Sequence, residues 1–256
     1  MNTLNTAQAS AIELAIQACT ERSAIPGYTI EFPDPNDQDV IEQIVELMTV
    51  DYFDREPLSK ACKANDPLLT PEAIRRYCYD CTMRIAEIGT ILVAKTGDGK
   101  LVGFLNTAVA DKPYTPGVWP GGLSPLIELT TRVRAMAPKG QGKVLCLARA
   151  GVRRDFAGHN VLRDLIYVAV LKGYLEGYEK AMGVSMSKPS QRVLESSGLT
   201  AVAELAYKDY EYRGTEPFAQ VNTPPSVKLV WGDMKKCLKF QQDSLLGREA
   251  RGQARL

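Results

Sequence analysis

The chain has 256 residues, 45% of them hydrophobic, which is enough for one sizeable core. Its 31 basic and 30 acidic residues leave a formal charge of +1, so no strong field gathers nucleic acid or anionic lipid, and neither is an expected partner. No segment approaches the ~20 consecutive apolar residues of a membrane span. The start, MNTLNTAQASAIELAIQACTERS, lacks a basic cluster and carries Glu13 and Glu21, unlike a secretory signal or an Arg-rich transit peptide; the expected location is cytoplasmic.

In chain order, residues 3–22 read as an amphipathic helix and GYTIEF, 27–32, as a strand ended by Pro33 and Pro35. Asp37 or Asp39 caps a predicted helix over 40–52 with apolar Ile41, Ile44, Val45 and Met48. A loop, DREPL, follows, and Thr70-Pro71-Glu72 opens a helix to about Ile88. Strands over 90–95 and 101–110 flank a Gly97-Asp98-Gly99 turn and form a hairpin. Residues 111–123 are a Pro- and Gly-rich loop, 124–136 a helix, 143–152 a strand, 160–180 a long helix and 182–186 a short strand. A short helix over 189–197 stops at Gly198, and strands fit 202–210 and 226–231. This order predicts an α/β fold, a central mixed sheet flanked by helices, because the hairpin forces antiparallel neighbours. Residues 1–26 form a helical extension, 27–236 the domain, and 237–256 a polar, basic tail.

Six scattered cysteines read as free thiols. Cys78 and Cys81 make a C-x-x-C inside a helical pattern, but with a single histidine in the chain and no second pair, no metal site is expected.

The most informative stretch is VLCLARAGVRRDFAGHNVLRDL, 144–165. An apolar strand runs to Val152, a polar turn carries Gly158, and a helix begins near Asn160 and Val161. A helix N-terminus offers unpaired N–H groups and partial positive charge to a phosphate, and glycine lets the backbone approach it. The layout suggests a phosphorylated cofactor.

The order of elements and four local segments resemble the GCN5-related N-acetyltransferases, most of all the invertebrate arylalkylamine group. DYFDREPL, 51–58, is similar to that group's EPL loop, and ILVAKTGDGKLVGFLN, 91–106, to its hairpin. Residues 152–165 correspond to the acetyl-coenzyme-A turn, and SKPSQRVLESSGLTAVAELAYKDY, 187–210, to the segment following it. The resemblance covers about 27–235 and implies acetyl-CoA as co-substrate, a small primary amine as acceptor, and no metal. It implies Glu56 as general base, with Phe53 and Tyr52 as an aromatic wall, and the backbone N–H groups of Ala150, Gly151 and Val152 as oxyanion donors. A proton for the leaving thiolate comes from Ser190, Ser187 or a tyrosine; the general-acid tyrosine of many relatives falls at Leu194 and is absent.

The turn departs from the family pattern Q/R-x-x-G-x-G/A. Here it reads Asp155, Phe156, Ala157, Gly158, His159, Asn160, so an acid stands where a base or amide is usual and Asn160 replaces the second glycine. Arg153, Arg154 and Arg163 offset the lost charge, and the resemblance implies phosphate contact for Arg153, Arg154, Gly158, His159, Asn160 and Val161. Each group also has a plainer reading. Glu56 is equally a cap or an ion-pair partner, Ser190 a helix-start residue, and the tyrosines near 207–212 sheet and core. The altered turn keeps two rivals open, an inactive binding module of the same fold and a transferase for another acyl donor or acceptor.

Overall fold

The computed structural model describes residues 4–22, 27–66, 68–112, 116, 117, 119–140 and 142–253, apart from the side chains of 51, 52 and 244–253. A seven-stranded sheet carries the fold: β1 (Tyr28–Glu31), β2 (Gly89–Thr96), β3 (Leu101–Val109), β4 (Val144–Val152), β5 (Lys180–Ser185), β6 (Thr200–Ala206) and β7 (Ser226–Asp233), in the spatial order β1-β2-β3-β4-β5-β7-β6. Only β4 and β5 pair in parallel; every other neighbour is antiparallel, as the hairpin required.

Two core layers cover the two faces. On one lie α2 (Gln38–Glu46), α3 (Pro57–Asn65), α4 (Pro71–Ile88) and α5 (Ser124–Ala135). On the other lie α1 (Thr6–Glu21), α6 (Val161–Leu175), α7 (Lys188–Glu195) and α8 (Met234–Gln253). Burial on both faces explains why β3 is a nearly continuous apolar run. Helix α2 forms where Asp37 accepts from the Val40 N–H and Val40, Ile41, Ile44 and Val45 make one buried stripe. Each such side chain contributes about 1.5–3 kcal/mol on burial.

Several boundaries differ from the sequence reading. The helix over 40–52 is α-helical only to Glu46 and continues as a π-helical turn over Leu47–Tyr52. Glu56 and Pro57 open α3, where a loop is the sequence expectation. Helix α6 stops at Leu175, with Gly177 at φ +84° turning the chain into β5. Helix α1, within the expected N-terminal extension, packs on the domain, with Ile12, Ala15 and Cys19 buried and the helix set against β1 and α6. The polar tail starts as a packed helix, with Cys237, Leu238 and Gln241 of α8 buried. All six cysteines are buried and free. Among the described residues, no helix is long and apolar enough to cross a membrane, and no group of three or more His, Cys, Asp or Glu side chains gathers as a metal site.

One irregularity positions the site. Strands β4 and β5 share four rungs, from Val144–Lys180 to Leu147–Gly183, and then separate. At that level β4 carries a bulge: Thr107 faces Leu147 while Asn106 faces Arg149, so Ala148 is the extra residue. Beyond it, Arg149 to Val152 pair only with β3, leaving their other edge as one wall of a cleft.

Candidate active site

The cleft wall has a defined hydrogen-bonding polarity. The Arg153 N–H donates to the Val102 oxygen at 2.9 Å. Main-chain groups alternate along an antiparallel ladder, so Arg149 and Gly151 also turn toward β3 while Ala150 and Val152 turn toward the cleft. Of the three expected oxyanion donors, the Ala150 and Val152 N–H groups face the open edge and the Gly151 N–H faces β3. Gly151 serves packing instead, since a Cβ there would lie 2.7 Å from the Phe104 ring.

The turn beyond β4 brings together a glycine, two arginines, an aspartate and the N-terminus of α6. Gly158 has φ +84° with open space beside it, and Asn160 adopts the left-handed region at φ 64°. Asn160 is the N-cap of α6 yet makes no side-chain capping bond, so that helix end is not closed by its own cap. Asp155 does not stand as a bare negative charge. Arg153 holds it through Nε at 3.1 Å and Nη2 at 2.9 Å, which also keeps its carboxyl below the usual carboxylate range. The same pairing occupies Arg153, and Arg154 is the exposed guanidinium of the turn. Arg163 is buried, 6% exposed, and is not part of the turn's surface charge, contrary to the sequence expectation. His159 is half-buried, its Nδ1 enclosed without a hydrogen-bond partner. A groove of about 850 Å³ opens between α2 and this turn, lined in part by Glu42, Glu46, Arg75, Arg153, Arg154 and Asp155. Glu56 does not line it, so the groove belongs to the turn and not to the base.

Glu56 stands apart from that groove, at the start of α3. Its loop is fixed to the cleft strand by Arg55, whose Nη2 donates to the Val152 oxygen at 3.1 Å. Phe53 packs edge-on against Tyr77 of α4 at 6.3 Å; the Tyr52 side chain, read as the rest of an aromatic wall, lies outside the described residues. Glu56 is the N-cap of α3 and is 6% exposed. Its Oε2 accepts from the Ser59 N–H at 2.6 Å and from the Ser59 hydroxyl at 2.8 Å, whereas its Oε1 is buried with no hydrogen-bond partner. Burial raises its pKa, and the hydrogen bonds of Ser59, together with that from the main chain of Leu58, only partly oppose the rise. The capping role and an unused basic oxygen therefore coexist in one carboxylate.

The two serines stand at the opposite lip, just past β5, and form a capping box. Ser187 is the N-cap of α7, its hydroxyl 3.0 Å from that of Ser190, while the Ser190 hydroxyl donates to the Ser187 oxygen at 2.8 Å. Among the described residues no hydrogen bond joins either serine to Glu56. The tyrosines are tied elsewhere: the Tyr207 hydroxyl donates to the Met186 oxygen at 2.9 Å and the Tyr210 hydroxyl to the Pro125 oxygen at 2.8 Å, both from buried rings.

Two residues escaped the sequence reading. Arg149, re-aimed by the bulge, donates to the Tyr77 hydroxyl at 2.7 Å and to the Cys81 sulfur at 3.3 Å. Asn106 is wholly buried with both amide atoms unpartnered. The available signal was a lone amide inside the apolar strand LVGFLNTAV.

No family model matches the chain, and no curated protein matches it in sequence. Solved structures do match its architecture. Arylalkylamine N-acetyltransferase 2 from Aedes aegypti superposes with a TM-score of 0.62 at 17% identity, over 81% of this chain and 99% of that one. The fold is that of the GCN5-related N-acetyltransferases. The polyamine N-acetyltransferase of Drosophila melanogaster, which forms N-acetylagmatine, has a TM-score of 0.60 at 17% identity over 80% of this chain and 99% of its own. The C-terminal condensation domain of Ebony, solved with β-alanyl-dopamine, reaches 0.64 at 14% identity over 80% of this chain and 98% of its own. At such identities the acetyltransferase fold is shared while individual residues are not carried across.

Proposed function

We propose that the protein is an N-acetyltransferase that moves acetyl from acetyl-CoA to a small primary amine of the arylalkylamine class. The observation that carries the reading is the buried, unpartnered Oε1 of Glu56 in a loop bonded to the splayed strand β4.

The turn supports coenzyme-A binding. Gly158 and the α6 N-terminus, with Arg154 beside them, suit a pyrophosphate, and the Ala150 and Val152 main chain suits an extended amide-bearing arm along the cleft. When bound, acetyl-CoA supplies an activated thioester carbonyl. An amine arrives as ammonium with a pKa near ~10, and Glu56 takes its proton at Oε1 while Oε2 stays on Ser59. Burial makes that carboxylate a stronger base than an exposed one. The N–H groups turned into the cleft at Ala150 and Val152 stabilise negative charge developing on the acyl oxygen. The freed amine forms the amide bond at the acyl carbon as the C–S bond breaks, and the departing thiolate takes its proton from solvent, because the Ser187 and Ser190 hydroxyls are engaged with one another at the start of α7.

A second reading keeps the acceptor and changes the donor. Asp155 occupies Arg153, which weakens the turn for pyrophosphate, and the likeness to a condensation domain bound to β-alanyl-dopamine favours amide formation with a different acyl group. Calorimetric titration with acetyl-CoA and coenzyme A, followed by an amine panel, separates the readings. Micromolar binding with turnover is the expected result. Absence of binding at millimolar ligand rejects the acetyl-CoA reading.

A further inference from the structure

Asn106 carries a demand that the fold leaves unmet. It is 0% exposed in mid-β3, and neither its amide nitrogen nor its amide oxygen has a hydrogen-bond partner. A primary amide offers two donors and two lone pairs, and burying them unpaired costs free energy that a leucine of similar size would not incur. Folding alone gives no reason for this residue.

Its place gives one. Asn106 faces Arg149 on the first rung after the bulge, and Leu147–Gly183 is the last rung shared by β4 and β5. The orphaned amide therefore stands on β3, one strand in from the cleft, at the level where the two parallel strands part. Its side chain shares a sheet face with Phe104 and Ala108, and that face is covered by the cluster containing Phe53, Leu58 and Tyr77. Glu56, with its own unpartnered Oε1, belongs to the loop between Phe53 and Leu58 on that side. Two buried polar groups lacking partners thus lie on the same face of the sheet.

We infer that Asn106 is an acceptor-binding residue: its amide oxygen accepts an N–H of the primary amine whose other proton goes to Glu56. The ligand class is a primary amine, since its ammonium form carries enough N–H groups to serve both residues at once. The inference rests on the acyl-transfer reading above. It explains why the amide is kept without a protein partner, because the substrate is the partner.

The test is Asn106→Leu, with Asn106→Ala as the second variant should leucine fail to fold. Both are assayed with 2-phenylethylamine, tyramine, agmatine and spermidine, alongside thermal melting and calorimetric titration of acetyl-CoA. The expected result is a Tm for Asn106→Leu equal to or above that of the wild type, unchanged acetyl-CoA affinity, and an acceptor KM raised about 10- to 100-fold, the loss of one buried hydrogen bond to a charged group. Wild-type turnover with acceptor KM and kcat unchanged in both variants overturns this inference and leaves the acetyl-transfer reading standing. A wild type that turns over none of the four amines while binding acetyl-CoA overturns both.

Discussion

The N-termini of α3 and α7 use one local device and end in different chemical states. Each begins with a side-chain oxygen accepting a backbone N–H three residues on, Glu56 from Ser59 and Ser187 from Ser190. In α7 the two hydroxyls then close on each other and on the Ser187 carbonyl. In α3 a carboxylate has one oxygen more than the cap requires, and that oxygen is buried and unpartnered. A cap whose hydrogen bonds are complete stabilises a helix. A cap with a buried, unused basic atom stabilises a helix and holds a base in place as well. The difference lies in valence left over, which makes the comparison breakable by mutation.

The largest effect belongs to Glu56→Gln. Glutamine retains an amide oxygen for the Ser59 N–H, so the cap survives while the base is lost. The turnover number falls about 10²- to 10⁴-fold with acetyl-CoA affinity unchanged, as read by steady-state kinetics and calorimetry. An unaffected rate would reduce Glu56 to a cap, the same status as Ser187. Next comes Gly158→Val. A β-branched residue at φ +84° is strained by roughly 1–2 kcal/mol and its side chain fills the open space beside this position, so coenzyme-A affinity drops about tenfold while the rate at saturation holds. Ser187→Ala is expected to remove about 1 kcal/mol of stability in chemical denaturation and to leave turnover close to wild type. A large rate loss without a stability loss would make the α7 cap the catalytic one instead. The smallest effect is Asp155→Asn. Releasing Arg153 and removing one exposed charge tightens coenzyme A by no more than about tenfold, most visibly at low salt.

What the sequence made legible follows from how local the signal was. The hairpin of β2 and β3, the α4 start at Thr70-Pro71 and the strand–glycine–helix passage at 144–161 each carry their own turn or cap residues, and each forms close to where expected. Glu56-Pro57 also carries such a signature, a capping acid followed by proline at the first helical position, although the chain-order reading of DREPL is a loop. The burial of α1 and α8 was not legible because their partner surfaces are distant in sequence, α1 meeting β1 and α6, α8 meeting α6 and β7. The bulge at Ala148 and the parting of β4 from β5 leave no local trace at all, since they depend on register between strands. Asn106 takes its meaning only from that register. The charge departure at Asp155 was visible, yet its neutralisation by Arg153 depends on side-chain geometry two residues apart.

The most direct measurement is the pH dependence of kcat for the wild type beside Glu56→Gln. Glu56 must be deprotonated to accept the amine's proton, and burial lifts its pKa above the ordinary 4.5. The wild-type rate should therefore rise with pH through a limb displaced above the usual carboxylate range, and that limb should be missing from the residual activity of Glu56→Gln. The same shift has a stability counterpart. The folded state holds this proton more tightly, so the stability it contributes is full below the unfolded pKa and is lost as pH rises through the folded one. A wild-type profile whose acid limb persists unchanged in Glu56→Gln would contradict the assignment of the base.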